Sequence, residues 1–246
     1  MSSSHNNLSN HPASFGLIVV AALLCALAPV SDAQPHASPD VLTIRRDAWL
    51  RILRAEDKRL VDSALLELLG DRDAQTRRRA ALALGRIGES SAIAPLASLL
   101  ANDEHMSVRG AAAFAIGEIE ALEGVAALRT ALHRAEEAEH VRARATEALG
   151  KIAAALAPEK QVDQLRVIQS EITKVLSDEA ARSHQARREL ALAAITAALR
   201  ARMSGAALTI SEFLASDDAR ARRCGQHAGA IARARGHLKA RSCARR

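Results

Sequence analysis

Residues 76–88 read TRRRAALALGRIG, residues 108–120 read VRGAAAFAIGEIE and residues 141–153 read VRARATEALGKIA. Laid over one another on Gly85, Gly117 and Gly150, the three stretches share Arg77, Arg109 and Arg142 at their second position. They also share alanines at helical spacing and an isoleucine two places after the glycine. The offsets between copies are 32 and 33 residues, a period that belongs to stacked supersecondary units rather than to one closed core. Each of the first two copies is followed by a second amphipathic stretch. Ile93, Leu96, Leu99 and Leu100 mark one, and Val125, Leu128, Ala131 and Leu132 the next, at the spacing of one helix face.

A pair of helices, one rich in Ala and one rich in Leu, cannot hide both apolar faces by itself, so neighbouring pairs must supply the interior. The repeated Ala and Gly allow close approach of helix axes, and Gly88 is placed to end its helix in the left-handed conformation. Composition agrees: 49% of the 246 residues are apolar but only 2% are aromatic, with three Phe, one Trp and no Tyr. Such a chain lacks the ring-filled interior of many compact enzymes and the β-branched and aromatic bias of sheets. The expected class is all-α, an α-solenoid of about five helical hairpins. Gly70, Asn102 and Asp103 mark breaks between units, and Ser90 or Ser91 is expected to cap the helix that carries Pro95 in its first turn.

The pattern V-R-x-x-A-x-x-A-L-G-x-I, preceded by acids such as Asp71, Asp73 and Asp103, resembles the HEAT repeats of the phycobilisome-lyase type. The match covers residues 56–157 in three copies. Upstream, Val41 to Leu53, with Trp49, and Val61 to Leu69 resemble an earlier unit. Downstream come a longer helix from Gln161 to Leu176 and a degenerate fifth copy, Arg187 to Ala198, with Thr196 in the place of the glycine. For some members the resemblance implies bilin handling, but no aromatic and acidic pocket for a tetrapyrrole is visible here. Other HEAT relatives are metal hydroxylases with repeated His-Glu pairs. This chain has only the reversed pairs Glu104-His105 and Glu139-His140, placed at turns between units.

The chain divides by composition into three parts. Residues 1–33 hold no Lys or Arg and one acid, Asp32, and Phe15 to Ala28 is uncharged throughout. With Ser31-Asp32-Ala33 behind it, this reads as a secretory signal peptide cleaved after Ala33, although its n-region lacks basic residues. An uncleaved anchor and a core helix are the alternatives, and the 16 residues from Phe15 to Val30 are short of a comfortable membrane span. The expected address is therefore periplasmic or extracellular. Residues 34–216 carry 25 basic and 25 acidic side chains and form the solenoid body, while residues 217–246 carry nine basic and two acidic ones. That last part reads as a disordered basic tail or a degenerate cap, holding Cys224 and Cys243, which an oxidising compartment would permit to pair.

No HExxH, GxSxG, P-loop or dinucleotide fingerprint occurs, so no catalytic residue, cofactor or metal ligand is assigned. Arg77, Arg109 and Arg142 form a regular column. Either they pair with acids of adjacent turns, such as Asp73 and Asp103, and lock unit to unit, or they make a basic stripe for phosphates; the neutral body favours pairing. The second helices are expected to line the concave face and to superimpose Glu67, Ser98, Thr130 and Lys174, with Ser63, Ala94, Ala126 and Ser170 one turn earlier. A broad groove of short side chains suits an extended polypeptide or a helix better than a small molecule. The function expected is an exported, non-catalytic scaffold that binds a protein or peptide. A lyase-like or enzyme-accessory protein and a nucleic-acid binder are the rivals. Membrane contact is expected only through the N-terminal segment, if retained, or weakly through the tail.

Overall fold

The computed structural model describes residues 39–157, 160–182 and 187–215. The expected signal segment with Ala33 and the basic tail with Cys224 and Cys243 lie outside the described residues. The chain divides into residues 1–42 and 43–246, and of the first only the start of one helix, from Pro39, is described.

Ten α-helices follow one another among the described residues: α1 Pro39–Lys58, α2 Ser63–Glu67, α3 Ala74–Ile87, α4 Ile93–Asn102, α5 Met106–Ile119, α6 Val125–His133, α7 Glu139–Ala155, α8 Val162–Ala181, α9 Arg188–Arg200 and α10 Ala207–Ala215. They form five hairpins in chain order, and no strand occurs among the described residues. The first helices of consecutive hairpins stack as a layer, α3 on α5, α5 on α7 and α7 on α9. The second helices make the other layer, α4 against α6 and α8 against α10, and α4, α6 and α8 also pack on the first-helix layer. Pairing is therefore sequential, and the core is one continuous sheet of buried Leu, Ile and Ala between the layers. The solenoid expectation stands.

The repeated glycines explain how tightly the first layer closes. A Cβ on Gly85 would lie 2.7 Å from Ala115 Cα, one on Gly117 2.7 Å from Ala148 Cα, and one on Gly150 2.5 Å from Ala197 Cα. Each glycine thus accepts the backbone of an alanine from the next unit, closer than any side chain permits. This ladder also sets the register of the fifth copy. Ala115 and Ala148 stand two places before Gly117 and Gly150, so Ala197 puts Leu199, not Thr196, in the glycine position. Among the described residues no further first helix stacks on α9, and Leu199 stands in the glycine position half-buried.

Helix ends divide into the expected and the corrected. Gly88 ends α3 with φ of +82°, as its place in the repeat suggests. The same left-handed role falls to Glu120 after α5, Arg59 after α1 and Arg202 after α9, so the position does not demand glycine. Neither Ser90 nor Ser91 caps α4, because the chain enters that helix through a 3-10 turn, Ser90–Ala92, whose residues continue directly into the first helical turn. Ser91 Oγ instead donates to the Glu89 carboxylate at 3.3 Å. Side-chain caps do occur at Asp62, which accepts from Leu65 N at 2.8 Å, and at Asp73, which accepts from Gln75 N and Thr76 N.

Candidate functional site

The face of second helices carries the residues singled out for partner binding. Glu67 on α2, Ser98 on α4, Thr130 on α6 and Lys174 on α8 are all exposed, as are Ser63, Ala94, Ala126 and Ser170 one turn earlier. Helical spacing produces this: on α4 and α6 the residues flanking the face, Leu96, Leu99 and Leu100, and Leu128, Ala131 and Leu132, are drawn into the core. The polar atoms are partly spent within their own helices. Thr130 Oγ1 donates to Ala126 O at 3.0 Å, and Asn102 Nδ2 donates to Ser98 O at 3.0 Å. Towards the C-terminal end the surface deepens into a pocket bounded by Arg166, Gln169, Ser170 and Thr173 of α8 and by Arg202 to Ala206.

The arginine column sits at the starts of the first helices, beside the turns between units. Arg77 grips Asp103 of the next turn side-on, Nε to Oδ2 at 2.7 Å and Nη2 to Oδ1 at 3.1 Å, while its Nη1 donates to Asp71 O and Arg72 O. Arg109 repeats the arrangement one unit on, with Nε and Nη2 on the Glu137 carboxylate at 3.1 and 2.7 Å and Nη1 on Asp103 O and Glu104 O. Burial pushes the Asp103 and Glu137 carboxyls up. The arginine hydrogen bonds, backbone N–H donors and surrounding positive charge outweigh it, so both are held below the usual carboxylate range.

Two parts of the expected ladder are corrected. Asp73 does not pair with Arg77; it caps α3 and faces Arg45 of α1 at 3.5 Å. Arg45 lies 32 residues before Arg77, so it is the column's first member, hidden from the repeat pattern because its copy lacks the glycine. Among the described residues Arg142 has no carboxylate partner: Nη2 donates to Arg134 O and to Ala135 O at 3.0 Å, and its buried Nε has no hydrogen-bond acceptor. Glu179, the acid nearest the following turn, is turned to Arg187, accepting from its backbone N at 2.7 Å and its Nε at 2.9 Å.

Other ionic contacts tie unit to unit. Glu56 of α1 accepts from Arg79 Nη1 and Nη2, both at 2.7 Å, and from Arg86 Nη1 at 3.0 Å. The Arg79 hydrogen bonds are the largest influence on Glu56; with those of Arg86 they overcome burial and hold its carboxyl low. Glu171 of α8 accepts from Arg129 Nε at 2.7 Å and lies 2.7 Å from His133 Nε2. Lys151 pairs with Glu118 and stands 4.3 Å from the centre of the Phe114 ring. The reversed acid-histidine pairs are not brought together: His105 lies 3.4 Å from its own neighbour Glu104, whereas His140 Nε2 lies 3.1 Å from Met106 O. Glu139 and His140 are half-buried in the first turn of α7 rather than on an exposed turn. Among the described residues no three of His, Cys, Asp and Glu converge on a common point, and no helix is long and apolar enough to cross a membrane.

The sequence model of the HEAT repeats family matches residues 44–112 and 95–183, which together cover more than half of the chain. The chain belongs to the HEAT repeat family. Among solved structures, this HEAT repeat protein is similar to a chain in the complex of CpcE and CpcF of phycocyanin lyase from Nostoc sp. PCC7120. The TM-score is 0.54 at 20% identity, covering 69% of this chain and 64% of that one. The match therefore spans less than two thirds of that protein's length, and at this identity the likeness is one of fold. A designed armadillo repeat protein, YIII(Dq)4CqI, matches with a TM-score of 0.46 and 22% identity over 68% of this chain and 79% of that one. No curated protein matches the chain.

Proposed function

We propose that this HEAT repeat protein is an exported scaffold that binds a protein or peptide along its concave, second-helix face and carries no catalytic chemistry of its own. The observation that carries the reading is the alignment of Glu67, Ser98, Thr130 and Lys174, and of the four residues a turn earlier, as exposed short or polar side chains on consecutive second helices. A row of short and polar side chains repeated from unit to unit suits an extended chain or a helix. The similar solved structure is a complex, of CpcE with CpcF, and HEAT hairpins in general serve interaction. The phosphate-stripe alternative loses support because Arg77 and Arg109 spend their donors on Asp103 and Glu137. Export rests on the apolar run and small residues before Ala33.

The test is site-specific photocrosslinking in the exporting cell. A photoreactive residue at Ser98 or Thr130 should trap one discrete protein, and the same residue at Arg86 or Glu118, exposed on first helices, should not. Equal trapping from both sets, or none from either, would refute face-specific binding.

A further inference from the structure

A pocket of about 210 Å³ opens where three units meet, bounded by Leu132 and His133 at the end of α6, Arg142 at the start of α7, Lys174 to Arg182 at the end of α8, and Arg187 and Leu190 leading into α9. Its charged lining is Arg142, Lys174, Arg182 and Arg187 against Asp178 and Glu179, with His133 beside them. Glu179 is fully enclosed by Arg187 and Arg182, at 2.5 and 3.4 Å, and His133 is engaged by Glu171. Arg142 and Lys174 are left without a carboxylate partner among the described residues.

The repeat itself says what the slot is shaped to take. Arg77 and Arg109 each use one Nη for two carbonyls of the preceding turn and present Nε with the other Nη to a carboxylate. Arg142 also gives one Nη to two carbonyls of the preceding turn, Arg134 and Ala135, but it is Nη2, the nitrogen beside Nε, rather than Nη1, and its Nε is left over. The carboxylate is displaced for a structural reason. Aligning Thr130 with Lys174 puts Leu132 over Leu176; α6 then ends one residue later, at His133, but α8 runs on five residues to Ala181. The added helical turn holds Glu179 on the helix, where it meets the N-terminus of α9 instead of the arginine of the unit before. A buried guanidinium donor without an acceptor is costly, and a carboxylate oxygen is the acceptor that Nε takes in its two in-chain counterparts.

We propose that Arg142, with Lys174 at the rim, is a receptor site for a carboxylate side chain of the bound partner, which completes the column that Asp103 and Glu137 complete in the earlier units. The inference rests on the scaffold reading above and adds to it an acidic anchor residue in the partner. Lys174 belongs both to this pocket and to the exposed second-helix row, so a chain lying on that face reaches the site at its edge. Lys174 and Arg182 are exposed and flexible enough to swing aside as the carboxylate enters.

The test uses the full chain and three probes, a blocked hexaglutamate peptide, the matching hexaglutamine peptide and a six-nucleotide thymidine strand. The Nε–H resonance of Arg142, assigned by its disappearance in Arg142→Lys, is followed during titration. Hexaglutamate should move it, and hexaglutamine should not. Hexaglutamate affinity should fall about tenfold in Arg142→Gln and severalfold in Lys174→Ala, with whatever binds the basic tail unchanged as background. Lys174→Ala leaves the core untouched and keeps the test open if the Arg142 variants fold poorly. An unmoved resonance, an unchanged affinity in Lys174→Ala, or a response to the thymidine strand alone would overturn the proposal. Each of those results leaves the crosslinking test of the second-helix face to stand or fall separately.

Discussion

Replacing Gly117 by Ala tests the ladder that sets the spacing of the first helices, and Gly110→Ala in the same helix α5 is its internal control. A Cβ at Gly117 would lie 2.7 Å from both the Cα and the Cβ of Ala148, whereas ordinary contact begins near 3.4 Å, so α5 and α7 must part by about 0.7 Å or more. Neither atom belongs to a movable side chain. A Cβ at Gly110 would meet the His140 ring at 3.2 Å, which a small rotation relieves. Both substitutions gain about 1 kcal/mol of helix propensity, so their difference isolates the cost of forcing the helices apart, about 1–3 kcal/mol. With a urea m-value of about 2 kcal/mol/M, the midpoints should separate by roughly 0.5–1.5 M, Gly117→Ala the lower. Equal midpoints with equal m-values would show that the first helices are not held at alanine-to-glycine contact.

Ala112 is fully buried in α5, and Ala112→Leu adds three carbons to a packed contact. It should cost about 1–3 kcal/mol and lower the thermal midpoint by several degrees in calorimetry. Glu137→Ala strips the buried carboxylate from Arg109 and Arg134 and should cost about 3 kcal/mol in urea melts near neutral pH. Because the folded state holds Glu137 below its unfolded value, that contribution is complete above the ordinary glutamate range and is lost as pH falls through the depressed one. The stability gap between wild type and Glu137→Gln should accordingly narrow on acidification, and a gap that widens would refute the assignment. Glu56→Gln removes the charge shared by Arg79 and Arg86 and should loosen α1 first, seen as faster amide exchange in α1 than in α5.

The hairpin count, the layering and the exposed face were legible because they depend on local periodicity. Ala at first-helix positions, Leu at second-helix positions and Gly85, Gly117 and Gly150 at one register leave few ways to bury the apolar surface other than sequential stacking. The degenerate fifth copy was misregistered by three residues, since nothing in the local pattern around Thr196 reveals that Ala197 must meet Gly150. The serine caps failed for a similar reason: a 3-10 turn satisfies the start of α4 without them. Arg45 could have been found by stepping 32 residues back from Arg77.

What the sequence determined by itself is the class of architecture and the identity of each repeated position, because helix period and side-chain size act within one unit. Which acid answers which arginine was decided only by tertiary structure. Asp103 follows Arg77 by 26 residues and Glu137 follows Arg109 by 28, spacings set by the lengths of the intervening helices and turns rather than by any motif. In the fourth unit one extra turn of α8 carries Glu179 past Arg142 to Arg187, and the buried Nε of Arg142 has no acceptor among the described residues. Charge pairing between units depends on where chain ends come to lie in space, and that is fixed only when the hairpins stack.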